Sequence, residues 1–234
     1  SDNEYAVASI FVNPAQFSPQ EDFATYPRDM DADLAKLEAA GVDLVFAPSV
    51  DEVYPKGFKT FVDVGPLGGR LEGEFRPRHF RGVATMVCKL LSIVRPDRAY
   101  FGQKDAQQCM VVEALNRDLN LGAEIVAVPT VRDPDGLALS SRNAYLGEKE
   151  RTAALLLSES LNLAKEIWLS GGTDTGLVKN RMRALIEGNP LARIDYVSIA
   201  DGDTLEELDQ LRRSALVSLA VNIGKTRLID NVVL

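Results

Sequence analysis

In the first half of the chain, short continuous apolar runs alternate with stretches in which apolar residues recur at helical spacing. Tyr5 to Val12 (YAVASIFV) is rich in β-branched and aromatic residues. Asp31 to Ala40 carries Leu34, Leu37 and Ala40 on one stripe, and Gly41 closes that stripe before the apolar run Val42 to Phe46. This pattern predicts a strand, a helix and a second strand. Thr60 to Val64 predicts a further strand, followed by a linker containing Gly65, Pro66, Gly68 and Gly69. Val83, Val87, Leu90, Leu91 and Val94 then fall on one helical stripe, ended by Arg95-Pro96 because the residue before proline avoids the helical region. Arg98 to Phe101 predicts a short strand, Asp105 to Leu119 an amphipathic helix, and Glu124 to Val128 another strand. Near-continuous apolar strands separated by helices predict an α/β domain with a parallel sheet covered on both faces.

Beyond Pro129 the order changes. Glu148 to Leu169 and Leu177 to Ile186 have helical spacing on either side of Ser170-Gly171-Gly172-Thr173, and strand runs follow at Ile194 to Ile199, Ala215 to Val221 and Thr226 to Ile229. Helices followed by strands predict a small α+β domain. The boundary is expected at Pro129 to Val131, dividing the chain into 1–130 and 131–234. Leu137 to Leu146 (LALSSRNAYL) then lies just past it, facing the first domain across a cleft, and Asp133-Pro134-Asp135-Gly136 before it is a turn signal. No internal repeat or low-complexity segment interrupts this plan.

Composition narrows the chemistry. The 234 residues are 46% hydrophobic and 26% charged, ordinary values for a globular chain with a sizeable core. A net charge of −8 argues against a broad nucleic-acid footprint and leaves room for a local cationic pocket for a small anion. No apolar run approaches the length of a membrane span, and the start SDNEYAVASIFVN lacks the basic opening of a signal peptide, so the expected location is the cytoplasm. Cys88 and Cys109 both fall in apolar helical patterns and are expected to be reduced, buried thiols. With one histidine in the chain, His79 alone would carry any histidine chemistry, and a histidine-rich zinc site is excluded.

Three polar clusters punctuate the apolar pattern. Asn13, Pro14 and Gln16 follow the first strand, at the kind of strand end where open parallel sheets bind ligands. Their amides suit a hydroxyl or carboxylate ligand; alternatively, Asn13 makes a side-chain turn and Gln16 is solvated. Tyr100 to Gln108 (YFGQKDAQQ) runs from a strand end through Gly102 into a helix, whose first amides near Gln103 to Asp105 form an anion-receptive start. Lys104 adds a point charge for phosphate, and Gln108 lies four residues on, on the same helical face; a solvated first turn is the plain alternative. Ser140, Ser141 and Arg142 offer hydroxyl and guanidinium donors that match phosphate oxygens. The alternative is a serine or Asn143 capping a helix, with Arg142 in a surface pair.

These clusters carry a family resemblance. SIFVNPAQF, LEGEFRPRHFRGVATMV (Leu71 to Val87), FGQKDAQQ (Phe101 to Gln108), VPTVRDPDGLALSSRN (Val128 to Asn143) and TRLIDN (Thr226 to Asn231), in that order, resemble the pantothenate synthetase (pantoate–β-alanine ligase) family. The resemblance implies a Rossmann-like nucleotidyltransferase domain followed by a small α+β lid domain, as a homodimer. It implies ligation of pantoate and β-alanine through a pantoyl adenylate, with ATP as substrate, Mg2+ accompanying the nucleotide, and AMP and pyrophosphate as products. It implies that Gln16 and Gln108 hold pantoate while Asn13 shapes the pocket. Gly102, Gln103, Lys104, Asp105, Val131, Leu139, Ser140, Ser141 and Arg142 would meet ATP, with Asp105 bonding the ribose. Lys104, Ser140, Ser141 and Arg142 would carry catalysis, the last three resembling the mobile Lys-Met-Ser-Lys-Ser loop of class I aminoacyl-tRNA synthetases. The metal ligands stay open.

The chain departs from the family pattern at two places. Gln103 stands where the family usually has glutamate, and Ala106 where it commonly has an aromatic residue. The family's first strand and its His-x-Gly-His motif precede the point where this sequence opens, and His79 belongs to a separate RPxHF element. The expectation is a truncated form, with apolar neighbours such as Ile10 and Val12 exposed, that adenylates poorly. Competing readings are another nucleotidyltransferase of the same superfamily and a non-catalytic binding or dimerisation module; a tRNA ligase is disfavoured by size and acidity.

Overall fold

The computed structural model describes residues 3–19 and 21–234. Strand β1 (Val7–Ser9) leads through helix α1 (Met30–Ala39) to β2 (Leu44–Phe46), and the strands pair in parallel with Val7 opposite Leu44 and Ser9 opposite Phe46. The Asp29 carboxylate caps α1 by accepting from Ala32 N at 3.0 Å. A single-turn helix α2 (Val50–Val53) follows, opened by a capping box in which Ser49 and Glu52 satisfy each other's main-chain N–H groups. Thr60 to Val64, predicted as a strand, pairs with no strand. Val62 N instead donates to Thr85 Oγ1 at 2.9 Å, and Val62 and Val64 pack on the domain core. A side chain supplies the hydrogen bond that a ladder would have supplied, so apolar content alone misreads this segment.

A short helix α3 (Glu72–Phe75) precedes α4 (His79–Val94), which starts four residues ahead of the predicted stripe. Phe80, Val83, Ala84, Val87 and Leu91 of α4 pack against Val111, Val112 and Leu115 of a later helix. Strand β3 (Arg98–Gly102), that later helix α5 (Ala106–Asp118) and β4 (Glu124–Val128) complete a second parallel pair, with Gly102 opposite Val128. Among the described residues the two pairs are not hydrogen-bonded to each other. Ala99, Phe101 and Ile125 face the core, whereas Val7, Leu44, Tyr100 and Val128 are exposed; Ile10 and Val12 are half-buried rather than exposed. The predicted plan of parallel strands joined through helices, followed by a smaller helix-and-sheet unit, is met. Both cysteines are free: Cys88 is half-buried and Cys109 buried, and burial raises the Cys109 thiol pKa to about 11.

The second half packs two helices on an antiparallel sheet. Helix α6 (Glu148–Leu169) buries Ala153, Ala154, Leu157, Leu161 and Ala164 along one stripe, and α7 (Thr175–Glu187), capped by Asp174, buries Val178, Met182 and Ile186. They lie on β5 (Ala192–Asp201), β6 (Ala215–Ile223) and β7 (Thr226–Val233), with β6 central and almost wholly buried. Gly224, at φ 57°, makes the tight turn between β6 and β7. The outer strands run longer than predicted because their polar residues continue the ladder where the apolar run has stopped.

A polar seam joins the two halves. The Arg227 guanidinium of β7 donates to both carboxylate oxygens of the buried Glu72 at 2.7 and 2.9 Å and to Asp195 Oδ2 at 2.7 Å. Gln107, also buried, donates to the carbonyls of Leu67 and Arg70 at 3.0 and 2.7 Å and accepts from Glu72 N at 3.1 Å. These bonds hold the 65–72 segment in place between the halves.

Candidate functional site

A cavity of about 270 Å3 opens between the strand ends of the first half and the LSSRN loop of the second. Its first wall is built by the segment after β1. Asn13 is buried behind that wall: its Oδ1 accepts from Ala15 N at 3.1 Å and from the Tyr54 hydroxyl at 2.8 Å, and its Nδ2 donates to Gly82 O at 3.1 Å. These bonds fix the 3₁₀ turn Pro14–Gln16 and leave Gln16 facing the cavity. Gly82 is required for this packing, since a Cβ there would lie 2.3 Å from Ala15 O. Asn13 thus makes the side-chain turn that its residue type allows, and Gln16 is not merely solvated.

The second wall is the end of β3. Lys104 belongs to a 3₁₀ turn, Gln103–Asp105, and α5 begins only at Ala106, so Lys104 and Gln108 do not share a helical face as predicted. The turn nevertheless brings Lys104, Asp105 and Gln108 onto one wall. Among the described residues the Lys104 ammonium has no hydrogen-bond or ion-pair partner, and so is free to meet an anion.

The third wall is the loop after Asp133–Leu137, whose turn closes through Gly136 N to Asp133 O at 2.8 Å. Leu139, Ser140, Ser141 and Arg142 line the cavity. Ser140 Oγ accepts from Arg142 N at 3.3 Å and so starts the 3₁₀ turn Ser141–Tyr145. The same loop is tied to the 18–26 segment of the first half. Arg142 Nε and Nη2 donate to Asp22 at 3.0 and 2.8 Å, Ser141 Oγ donates to the Tyr26 hydroxyl at 2.8 Å, and the Tyr145 hydroxyl donates to Thr25 O at 2.9 Å. The plainer alternative is met in part: Ser140 caps a turn and Arg142 is ion-paired, with Arg142 also lining the cavity. Burial opposes the Asp22 charge, and the Arg142 guanidinium outweighs it, leaving the carboxyl below its usual range.

The fourth wall was not anticipated. Arg76 and His79, at the junction of α3 and α4, line the cavity together with Phe17 and Tyr26. Arg76 donates to both oxygens of Glu21 at 3.0 and 2.7 Å and to Gln16 O at 3.3 Å. His79 Nδ1 faces Gln16 O at 2.9 Å, so this nitrogen carries the proton and donates. Burial, with the Arg76 charge beside it, lowers the His79 pKa to about 4 and keeps the ring neutral at pH 7. The RPxHF element signals these two residues in the sequence, but nothing there says that they face the SSR loop.

Of the residues predicted for the site, Gln16, Lys104, Asp105, Gln108, Leu139, Ser140, Ser141 and Arg142 come together on one cavity. Asn13 stands behind it, and Gly102 and Gln103 border it only through the turn that carries Lys104. Val131 is 61% exposed and is not in the cavity wall; its carbonyl accepts from Leu139 N at 2.9 Å. Among the described residues no three His, Cys, Asp or Glu side chains cluster as a metal site.

Known proteins resemble this chain over nearly its whole length. A family profile described as Pantoate-beta-alanine ligase matches residues 1–233. A pantothenate synthetase of Roseiflexus sp. (strain RS-1) is 57% identical over 234 residues, which is 100% of this chain and 84% of that protein. One of Acetivibrio thermocellus is 53% identical over 231 residues, 99% of this chain and 82% of that protein. Among solved structures, a pantothenate synthetase from Thermus thermophilus superposes with a TM-score of 0.95 at 47% identity, covering 98% of this chain and 83% of that one. A pantoate-beta-alanine ligase from Francisella tularensis, complexed with beta-gamma ATP and beta-alanine, superposes at 0.79 with 33% identity, covering 99% and 80%.

Proposed function

This chain belongs to the pantoate-beta-alanine ligase family, and from that premise we propose that the cavity between its halves, 1–130 and 131–234, is where pantoate, ATP and β-alanine meet. The reaction is an ATP-dependent ligation in two steps. A carboxylate oxygen of pantoate attacks the α-phosphorus of ATP and pyrophosphate leaves. The amine of β-alanine then attacks the acyl carbon, and AMP leaves as the amide forms. No covalent bond to the protein is needed, so the residues act by positioning and by offsetting charge.

The observation that carries this reading is the unpaired Lys104, on the wall it shares with Gln108, in one cavity with Gln16 and the Ser140–Arg142 loop. Two anions must approach in the first step, and mutual repulsion is the barrier that cations there reduce. Gln16 and Gln108, on opposite walls, hold the hydroxyl and carboxylate groups of pantoate, with Asn13 fixing Gln16 from behind. Lys104 meets the phosphates as a point charge, Ser140 and Ser141 donate hydroxyls to them, and Arg142 offsets the charge of departing pyrophosphate. Asp105 accepts from the ribose, while Gly102, Gln103 and Leu139 bound the nucleotide; Val131 supports it only through its bond to Leu139.

Mg2+ enters with the nucleotide in this reading. It favours oxygen ligands and keeps several waters, and the carboxylate in the cavity wall, Asp105, is taken by the ribose, so the ion would be held by phosphate oxygens and water, as fits one carried on ATP. A homodimer, which the resemblance implies, and a cytoplasmic location, expected from the sequence, complete the proposal. No helix among the described residues is long and apolar enough to cross a membrane.

The test is pantoate-dependent pyrophosphate release from ATP, with and without β-alanine. Release that needs pantoate, and pantothenate formation that needs β-alanine, are expected; ATP and pantoate binding without release would favour a binding module. Lys104→Ala should reduce the rate of release by about 100-fold, the scale for removing one preorganised charge-stabilising donor. Gln108→Ala should instead raise KM for pantoate. Equal effects of both on ATP binding alone would contradict these roles.

A further inference from the structure

The Thr226–Asn231 segment lies in the sheet of the second half, and the chemistry described so far gives its last residue no role. Asn231 is buried, at 6% exposure, and reaches into the first half. Its Nδ2 donates to the main-chain carbonyls of both Gln103, at 2.9 Å, and Lys104, at 2.8 Å. An amide nitrogen has two hydrogens, so both are committed to successive carbonyls of the one turn that presents Lys104. A three-residue 3₁₀ turn satisfies few of its own carbonyls, and Asn231 supplies what it lacks.

The surroundings point the same way. Asn231 Oδ1 is buried without a hydrogen-bond partner, and Asn231 lines a small cavity of about 30 Å3 together with Lys104, Asp105 and Gln108. Asn231 is held at its own base, its N–H donating to Asp230 Oδ1 at 2.8 Å, while Asp230 is gripped by Arg132 at 2.6 and 2.9 Å. The ladder of β7 does not use the Asn231 side chain, which opposes Ser218 on β6 through its main chain. Its side-chain bonds therefore serve the Lys104 turn rather than the sheet.

We infer that Asn231 is a positioning residue for the adenylation step, acting through Lys104 by fixing the backbone from which the ammonium reaches the phosphates. The Lys104 side chain has no partner to aim it among the described residues, so only its backbone sets its reach. A misplacement of about 1 Å at a reacting centre costs on the order of 100-fold in rate. This inference rests on the assignment of Lys104 to the phosphates.

The experiment is a double-mutant cycle on the whole chain, combining Asn231→Ala with Lys104→Ala. Two rates are read: pantoate-dependent pyrophosphate release, and β-alanine ligation from supplied pantoyl adenylate. Asn231→Ala should lower the first by about 10- to 100-fold, leave KM for pantoate and the second rate within about twofold, and add little in the Lys104→Ala background. Equal losses in both rates, or multiplicative losses in the double mutant, would overturn the inference. No effect of Lys104→Ala on release would instead overturn the assignment on which it rests. Asn231→Leu, matched in size and without donors, replaces the alanine variant if that one fails to fold. Failure of both to fold would overturn the inference too, because the contact would then serve the fold.

Discussion

His79 and Asp22 show how single side chains in the cavity are tuned. With its pKa lowered from 6.5 to about 4, His79 favours the folded state while neutral. That contribution is full above the unfolded value of 6.5 and is lost as pH falls from there toward 4. Glu21 and Asp22, held below their ordinary values of 4.5 and 3.8 despite burial, lose their contribution only further down the acid limb. Between pH 7 and 5 the wild type should therefore lose on the order of 2 kcal/mol that His79→Asn, which keeps an amide donor toward Gln16 but does not titrate, retains. Urea unfolding at the two pH values reads this directly; parallel losses in both proteins would refute it. Asp22 governs Arg142, which must exchange that carboxylate for phosphate oxygens if it is to stabilise pyrophosphate. Asp22→Asn removes a competing anion worth about 1 kcal/mol, so KM for ATP should fall about fivefold. A rise in KM would mean that the pair orders the loop for nucleotide rather than withholding Arg142 from it.

At the scale of elements, the site depends on how closely α4 approaches the turn after β1. Gly82 lets the Pro14–Gln16 turn sit directly on that helix, and Asn13 and His79 bond across the contact. Gly82→Ala places a methyl group against main-chain atoms of Ala15 and Gln16, which cannot rotate away. The expected cost is about 1–3 kcal/mol of stability, together with a raised KM for pantoate as Gln16 shifts. Unchanged denaturation and kinetics would show that the turn yields freely. The glycine stands inside a helix that the apolar stripe at Val83 to Val94 already announces, but its reason is a neighbour distant in sequence. Thr60 to Val64 teaches the converse: a strand-like run takes its hydrogen bond from Thr85 and forms no strand.

For the whole molecule, the seam at Glu72 couples the halves on which the cavity depends. Glu72 is buried and paired with Arg227 from the last strand. Removing the cation alone leaves a buried carboxylate without its main partner, so Arg227→Met should destabilise by about 3 kcal/mol. The double variant with Glu72→Gln should recover most of that loss, and equal destabilisation in both would place the energy in packing instead. Because the seam also positions α3, Arg227→Met should perturb Arg76 and His79 as well as stability.

The local pattern of residues determined the order of helices and strands, the change of texture near Pro129, and the three polar clusters that meet in the cavity. It did so because strand ends, glycine turns and polar loops are local signals, set by backbone chemistry within a few residues. Tertiary structure alone decided that Val131 faces solvent and that Arg76, His79 and Tyr26 join the cavity. It alone placed Asn231 on the carbonyls of Gln103 and Lys104, more than a hundred residues away in sequence. Those outcomes depend on which surfaces meet, and a hydrogen bond between distant segments leaves no periodicity in either of them.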